Sequence, residues 1–234
     1  MTRSARIAPG GMVFHALNRR VDRRTLFRER SDYRAFETVL REARSIVPVR
    51  ICAYALMPNH WHLVLWPVRD GELSTFMHRV TVTHVARWKA HYGSLGEGHL
   101  YQDRFKSFPV ESNDHYLTLV RYVERNALRA GLVERAEDWP FTSLWRRDAR
   151  IAAGDPLLSP GPIERPSGWI EHVNEPERAE QLESIAISIN RGTPYGTESW
   201  RRATARELGI ESSLRARGRP KKDFARRAGA KKGT

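Results

Sequence analysis

Residues 57–67 read Met-Pro-Asn-His-Trp-His-Leu-Val-Leu-Trp-Pro and contain two histidines, His60 and His62, separated by Trp61. The apolar residues that follow predict a strand, in which successive side chains point to opposite faces. Both imidazoles therefore emerge on one face, with Trp61 behind them. Two nitrogen ligands on one rigid face form half of a divalent-metal site, although an isolated His-x-His pair is more often structural or surface-exposed. The rest of such a site must come from elsewhere in the chain.

The apolar periodicity on either side of this stretch predicts alternating strands and helices up to about residue 130. Ser31 is the expected N-cap of the first helix, and Asn113 or Asp114 that of the third. The predicted elements are strand 12–18, helix 32–47, strands 49–56 and 60–66, helix 71–92, strand 100–111 and helix 113–130. The first six form the split βαββαβ pattern of a ferredoxin-like fold, an α+β fold with an antiparallel sheet and helices on one face. The seventh is an added helix after the last strand.

The composition changes after residue 147, which predicts one folded domain over 1–147 followed by an extension. Residues 148–168 are rich in Gly and Pro and predict a linker or long loop. Residues 169–213 predict a small helical extension. Residues 214–234 are too polar and basic to bury a core, so we expect disorder without a partner.

The net charge of +13 favours a polyanionic partner, and residues 201–234 alone carry twelve Arg and Lys against three acids. Nucleic acid is the expected partner, because no apolar anchor supports binding to an anionic membrane. The run Arg-Gly-Arg-Pro-Lys-Lys at 217–222 resembles an AT-hook core, which lies in the minor groove of A·T-rich DNA; nonspecific phosphate attraction is an alternative. In the last predicted strand, Arg104 and Lys106 line a DNA groove or a solvated face. The predicted DNA contacts are Arg104, Lys106, Arg217, Arg219, Lys221 and Lys222.

The single cysteine, Cys52, excludes an intrachain disulfide and fits a reducing compartment. No apolar run approaches 18 residues, and the N-terminus has no apolar segment typical of a secretion signal. We therefore expect a cytoplasmic protein without a membrane partner.

The helix over 113–130 offers groups that can complete the histidine site. Tyr122 and Asn126 are four residues apart, which places them on one helical face about a turn apart. The amide oxygen of Asn126 can act as a third metal ligand. The hydroxyl of Tyr122 is a weak nucleophile, with an ordinary pKa of about 10, but it becomes effective when a metal polarises the group that it attacks.

Three blocks of this sequence resemble a known family. Residues 57–67 resemble the His-hydrophobic-His signature of HUH single-strand endonucleases. Residues 100–107 (Leu-Tyr-Gln-Asp-Arg-Phe-Lys-Ser) and 122–133 (Tyr-Val-Glu-Arg-Asn-Ala-Leu-Arg-Ala-Gly-Leu-Val) resemble later blocks of REP-associated tyrosine transposases, a branch of the single-tyrosine HUH transposases. The resemblance covers roughly residues 8–145. It departs at Ala127, where the family often has proline, and this predicts a more regular helix.

The resemblance implies that His60 and His62 bind Mg²⁺ or Mn²⁺, that Asn126 is a third ligand, and that Tyr122 is the nucleophile. It further implies a transposase that cleaves and rejoins single-stranded DNA, at hairpin-forming repeats, through a covalent 5′-phosphotyrosine. One alternative is a catalytically idle, domesticated DNA-binding or regulatory protein on the same fold. Another is a phosphodiesterase acting on small molecules, which leaves the basic tail unexplained. A homodimer is compatible with the sequence, which does not determine the oligomeric state.

Overall fold

The chain folds around one four-stranded antiparallel sheet. The structure is a computed structural model that describes residues 7–94, 96, 98–148 and 157–215. Its strands are β1 (Val13–Arg19), β2 (Arg50–Met57), β3 (His60–Trp66) and β4 (Lys106–Val110), in the spatial order β2-β3-β1-β4. All three neighbouring pairs are antiparallel. This order confirms the predicted ferredoxin-like α+β fold.

One face of the sheet is covered by α1 (Arg30–Ile46) and α2 (Glu72–His91), as predicted. Trp61, Leu63 and Leu65 point from β3 into this apolar layer and are fully buried. The prediction of Ser31 as the N-cap of α1 is wrong. Glu29 caps the helix, because its carboxylate and that of Asp32 form a reciprocal capping box with backbone N–H groups.

The opposite face of the sheet is covered by α3 (Asp114–Glu124), which begins at the predicted cap Asn113. The side chain of Asn113 accepts a hydrogen bond from the backbone N–H of His115 at 2.9 Å. Because side chains alternate along a strand, Val64 of β3 points to this face together with His60 and His62. The histidine pair and the helix after the last strand therefore meet on the same side of the sheet.

The helix predicted over 113–130 is divided in the structure. α3 ends at Glu124, and α4 (Asn126–Arg129) follows after Arg125. The guanidinium of Arg129 donates a hydrogen bond of 3.3 Å to the backbone carbonyl oxygen of Tyr122, which lies in the last turn of α3 before the break. The expectation of a more regular helix is therefore wrong.

The last strand is shorter than the predicted 100–111, because the chain before Lys106 turns inward. Tyr101 is buried and forms only an isolated bridge with Arg20. Its hydroxyl accepts a hydrogen bond from Nε1 of Trp61 at 3.0 Å and lies 2.6 Å from Nδ1 of His84. Arg104 therefore lies in an exposed loop rather than on the strand, whereas Lys106 is the first residue of β4.

The described part of the extension packs onto the sheet domain. α5 (Ser143–Arg147) is the last helix of the predicted sheet domain, and the extension contains α6 (Trp169–Asn174), α7 (Ala179–Arg191) and α8 (Glu198–Glu207). Trp169, Val173 and Tyr195 join the apolar layer beneath α3, and the backbone of Tyr195 pairs with that of Pro109 and Glu111. The proposed divisions at 148, 169 and 214 remain predictions, and most of the basic tail, from residue 216, lies outside the described residues. Within the described ranges, no helix is both long and apolar enough to cross a membrane.

Candidate active site

The two histidines of β3 present the same ring nitrogen toward the site. Nδ1 of His60 lies 2.5 Å from Oδ1 of Asn59, and Nδ1 of His62 lies 2.9 Å from Nε2 of His15 on β1. The ring centroids of His60 and His62 are 4.9 Å apart. With Nδ1 of each ring engaged, Nε2 is the nitrogen left for a ligand. A metal-binding histidine commonly has its second nitrogen fixed in this way.

Burial keeps these imidazoles neutral. It lowers the pKa of His60 to about 3, with a further decrease from the cations Arg19 and Arg129. Burial also lowers the pKa of His62 well below its ordinary value, and the neighbouring imidazoles of His60 and His15 add to this decrease. Neutral imidazole is the form that binds metal ions.

Tyr122 is brought against this pair by α3. Its ring centroid lies 5.9 Å from that of His62, and the two rings are nearly perpendicular, at 82°. The guanidinium carbon of Arg129 lies 4.0 Å from the centre of the Tyr122 ring. Burial raises the pKa of Tyr122; Arg129 and Arg19 oppose this increase, whereas Glu177 adds to it.

Asn126, the expected third ligand, lies at the start of α4 and is 6% exposed. Its buried Nδ2 has no hydrogen-bond partner within the described part of the chain. The same part of the chain contains no cluster of three or more His, Cys, Asp or Glu side chains that could hold a metal. The donors that fit a divalent ion are thus two neutral imidazoles, and a further ligand must be an amide such as Asn126, water or substrate.

The predicted DNA contacts lie in different places. Lys106 is exposed on β4 and pairs with Leu17 on the neighbouring strand β1. Leu17 in turn pairs with His62 on β3, so β1 separates Lys106 from His62. Since adjacent strands are about 4.8 Å apart, Lys106 lies roughly 10 Å across the sheet from His62. Arg104 lines a groove of about 1980 Å³. Arg217, Arg219, Lys221 and Lys222 lie outside the described residues.

Several residues at the site were not singled out from the sequence. His15 carries no local pattern that marks it as a site residue, although the ferredoxin-like strand order places β1 beside β3 and could have suggested its contact with His62. Arg129 is seven residues after Tyr122, a spacing of two helical turns that returns it to the same face. Glu177 carries no local pattern, because its contacts with Arg129 span 48 residues.

Comparison with known proteins identifies relatives of the part of the chain that contains these residues. The family described as "Transposase IS200 like" matches residues 10–126, which is half of the chain and includes His60, His62, Tyr122 and Asn126. A REP-associated tyrosine transposase from Escherichia coli (strain K12) is 26% identical over 145 residues, which cover 60% of this chain and 81% of that relative.

A solved structure gives independent support for the fold. It is described as a REP-associated tyrosine transposase bound to a REP hairpin, and it is 24% identical to this chain, with a TM-score of 0.52. The match covers 70% of this chain and 98% of the solved one. The resemblance seen in the three sequence blocks is therefore confirmed, and the protein belongs to the IS200-like transposase family.

Proposed function

We propose that this protein cleaves and rejoins single-stranded DNA at hairpin-forming repeats, with Tyr122 as the nucleophile and a divalent metal ion held by His60 and His62. The observation that carries the proposal is the contact between the rings of Tyr122 and His62 at 5.9 Å. It brings a phenol that can act as a nucleophile against a pair of neutral imidazoles that can bind a metal ion, on one face of the sheet. The DNA hairpin bound by the solved relative supports the choice of substrate.

Mg²⁺ or Mn²⁺ held by His60 and His62, with Asn126 as a further ligand, would supply Lewis-acid polarisation of the scissile phosphate. Imidazole ligands favour Mn²⁺ over Mg²⁺, although cellular availability also matters. The fixed orientation of the imidazoles by Asn59 and His15 prepares the pair for this ion.

The protein's own groups account for the strand transfer. The phenolic oxygen of Tyr122 loses its proton and attacks phosphorus, the bond from phosphorus to the 3′-oxygen breaks, and that oxygen takes up a proton. The products are a 5′-phosphotyrosine and a free 3′-hydroxyl. A second 3′-hydroxyl then attacks the same phosphorus and releases the tyrosine, which rejoins the DNA. Arg19 and Arg129 favour the deprotonated phenol during this step, because both lower the pKa of Tyr122.

The groove that contains Arg104 suits the rest of a DNA substrate. Its basic side chains are Lys89, Arg104, Arg191 and Arg215, and Asp103 is the only carboxylate among the described residues that line it. Arg104→Ala should therefore reduce the slope of log affinity against log salt by about one. The matched control is Arg34→Ala on the exposed face of α1, outside the groove. Equal slopes for both variants would remove the groove from the proposal.

Incubation with end-labelled hairpin DNA and Mn²⁺ tests the chemistry. The expected product is a protein–DNA adduct that survives denaturant, is absent in Tyr122→Phe, and persists in Tyr116→Phe, a control on the same helix. An adduct in Tyr122→Phe would assign the nucleophile elsewhere. Tight binding without an adduct, across repeats and metals, would instead favour the idle DNA-binding protein.

The basic tail has a separate test, because its residues lie outside the described structure. Truncation after Gly209 should weaken DNA binding and flatten the salt dependence, since it removes most of the positive charge of residues 201–234. An unchanged salt slope would contradict a role for Arg217, Arg219, Lys221 and Lys222.

A further inference from the structure

Three arginines along the tyrosine helix and its continuation form hydrogen bonds to the end of α6 and the segment that follows it. Arg121, Arg125 and Arg129 are four residues apart and so form one stripe along α3 and α4. We call them the arginine stripe. Arg121 donates to the carbonyl oxygens of Glu175 (2.6 Å) and Pro176 (3.1 Å), and Arg125 donates to those of Val173 (2.8 Å) and Asn174 (2.7 Å). The stripe thereby satisfies carbonyl groups at and beyond the end of α6, which have no partners within that helix.

The segment also supplies one carboxylate to the stripe, that of Glu177. Nη1 of Arg129 lies 2.9 Å and 3.1 Å from its two oxygens, and Nε of Arg125 lies 3.6 Å from one of them. The side chain of Glu177 is 7% exposed, so this ion pair is largely removed from water. Removing one partner would leave the other charge poorly solvated and unpaired.

Arg129 connects this carboxylate to the nucleophile. Its guanidinium lies 4.0 Å from the centre of the Tyr122 ring and donates to the Tyr122 carbonyl oxygen. On its other side the same guanidinium is held by Glu177. The Tyr122 ring therefore contacts both Arg129 and His62, and Glu177, 55 residues later in the sequence, holds the first of these two partners.

We propose that Glu177 is a positioning residue for strand transfer, which holds Arg129 against Tyr122 and so keeps the phenol beside His62. This inference rests on the proposed function of Tyr122. It assigns a catalytic contribution to the C-terminal extension, because Glu177 lies outside residues 10–126, which match the family. A carboxylate that only stabilised the fold would change the unfolding temperature but not the rate of the covalent step in the folded protein.

The test compares Glu177→Gln with Glu177→Asp and with Glu175→Gln. Glu175 lies two residues earlier, and its side chain is 65% exposed and contacts only His172 among the described residues. The measurements are the single-turnover rate of adduct formation at saturating hairpin DNA with Mn²⁺, the affinity for the same DNA, and the unfolding temperature. Glu177→Gln should lower the rate at least tenfold and change the affinity less than twofold. Glu177→Asp should recover part of the rate, and Glu175→Gln should match the wild type.

A double variant covers the case in which Glu177→Gln does not fold because Arg129 is left unpaired. Arg129→Gln with Glu177→Gln removes both charges, and it should react as slowly as Arg129→Gln alone, because the two side chains act through one contact. A wild-type rate in folded Glu177→Gln, or in the double variant, would overturn the inference. If the wild type forms no adduct with any hairpin, the proposed function itself fails, and this is seen before any variant is compared.

Discussion

His15 on β1 is fully buried, yet its imidazole forms a hydrogen bond at the proposed metal site. A neutral His62 that presents Nε2 to a metal carries its proton on Nδ1, and it donates this proton to Nε2 of His15 at 2.9 Å. The ring of His15 also stacks on that of His62, with centroids 5.0 Å apart. His15 therefore fixes both the tautomer and the orientation of its neighbour.

His15→Phe keeps the ring and removes the acceptor, so it should weaken Mn²⁺ binding by about 10- to 100-fold. Titration calorimetry on the DNA-free protein measures this directly. The control is His84→Phe, which also removes a buried histidine, but one that bonds to Tyr101 on the other face of the sheet. Equal Mn²⁺ affinity in the wild type and His15→Phe would show that His62 needs no partner on β1.

The site residues that the sequence could reveal are those that belong to local patterns. His60 and His62 are adjacent on one strand, and Tyr122 and Asn126 are one turn apart, so both pairs follow from the periods of strand and helix. The contact between the two pairs could be inferred only once the fold was known. The ligand role of Asn126 remains a prediction. Arg19 and Glu177 could not be selected, because their roles arise from partners that only tertiary packing brings together. Asn59 directly precedes His60, so its contact with that ring is local.

The break between α3 and α4 changes how Ala127 should respond to substitution. Ala127 is the second residue of α4, and proline is tolerated in the first turn of a helix. Ala127→Pro should therefore change the free energy of unfolding by less than about 1 kcal/mol, whereas Leu119→Pro, inside α3, should cost about 3 kcal/mol or more. Urea unfolding of both variants measures this. A loss at Ala127 as large as that at Leu119 would mean that α3 and α4 behave as one continuous helix.

Glu124 anchors the end of α3 through a buried polar network. Its fully buried carboxylate accepts hydrogen bonds from Ser143 (2.7 Å), Trp169 (2.7 Å) and Arg165 (2.9 Å). Glu124→Ala leaves the partly buried Arg165 without its carboxylate, and it should lower the free energy of unfolding by about 3–5 kcal/mol.

Glu134→Ala, at an exposed position beyond α4, provides the matched loss of a carboxylate and should change the free energy of unfolding by less than about 0.5 kcal/mol. Urea unfolding followed by tryptophan fluorescence compares the two. Similar small losses of unfolding free energy in Glu124→Ala and Glu134→Ala would indicate that the hydrogen bonds of Glu124 contribute little to stability.

The elements themselves were predictable where one apolar period persists over a long stretch. α1, α2 and β3 lie within one or two residues of their predicted bounds, because the two helices have apolar residues at helical spacing and β3 is a short apolar run buried on both faces. The prediction failed where tertiary contacts redirect the chain. Tyr101 turns into the core instead of extending β4, and Arg129 engages the Tyr122 carbonyl where a continuous helix was expected. Neither contact can be recognised from the local spacing of apolar residues.

In the molecule as a whole, buried histidines at the site and in the core make the free energy of unfolding depend on pH. Burial lowers the pKa of His15, His60 and His84 to about 3 in each case, from an ordinary value of 6.5. Asp32 opposes the decrease at His84 but does not reverse it. The unfolded chain therefore binds more protons than the folded protein between these two values, and stability must fall as the pH decreases through this window.

Each of these histidines should remove about 1 kcal/mol from the free energy of unfolding between pH 7 and pH 5.5, on the order of 3 kcal/mol together. That loss is a large part of the stability of an ordinary domain, so the metal-free protein should be markedly less stable at pH 5.5 than at pH 7. Urea unfolding in the presence of a chelator at both pH values measures the difference. His84 is the one of these three histidines that lies away from the proposed metal site. His84→Gln should therefore reduce the difference in the free energy of unfolding between the two pH values by about 1 kcal/mol. A free energy of unfolding that is constant between the two pH values would mean that these imidazoles accept protons without leaving the folded core.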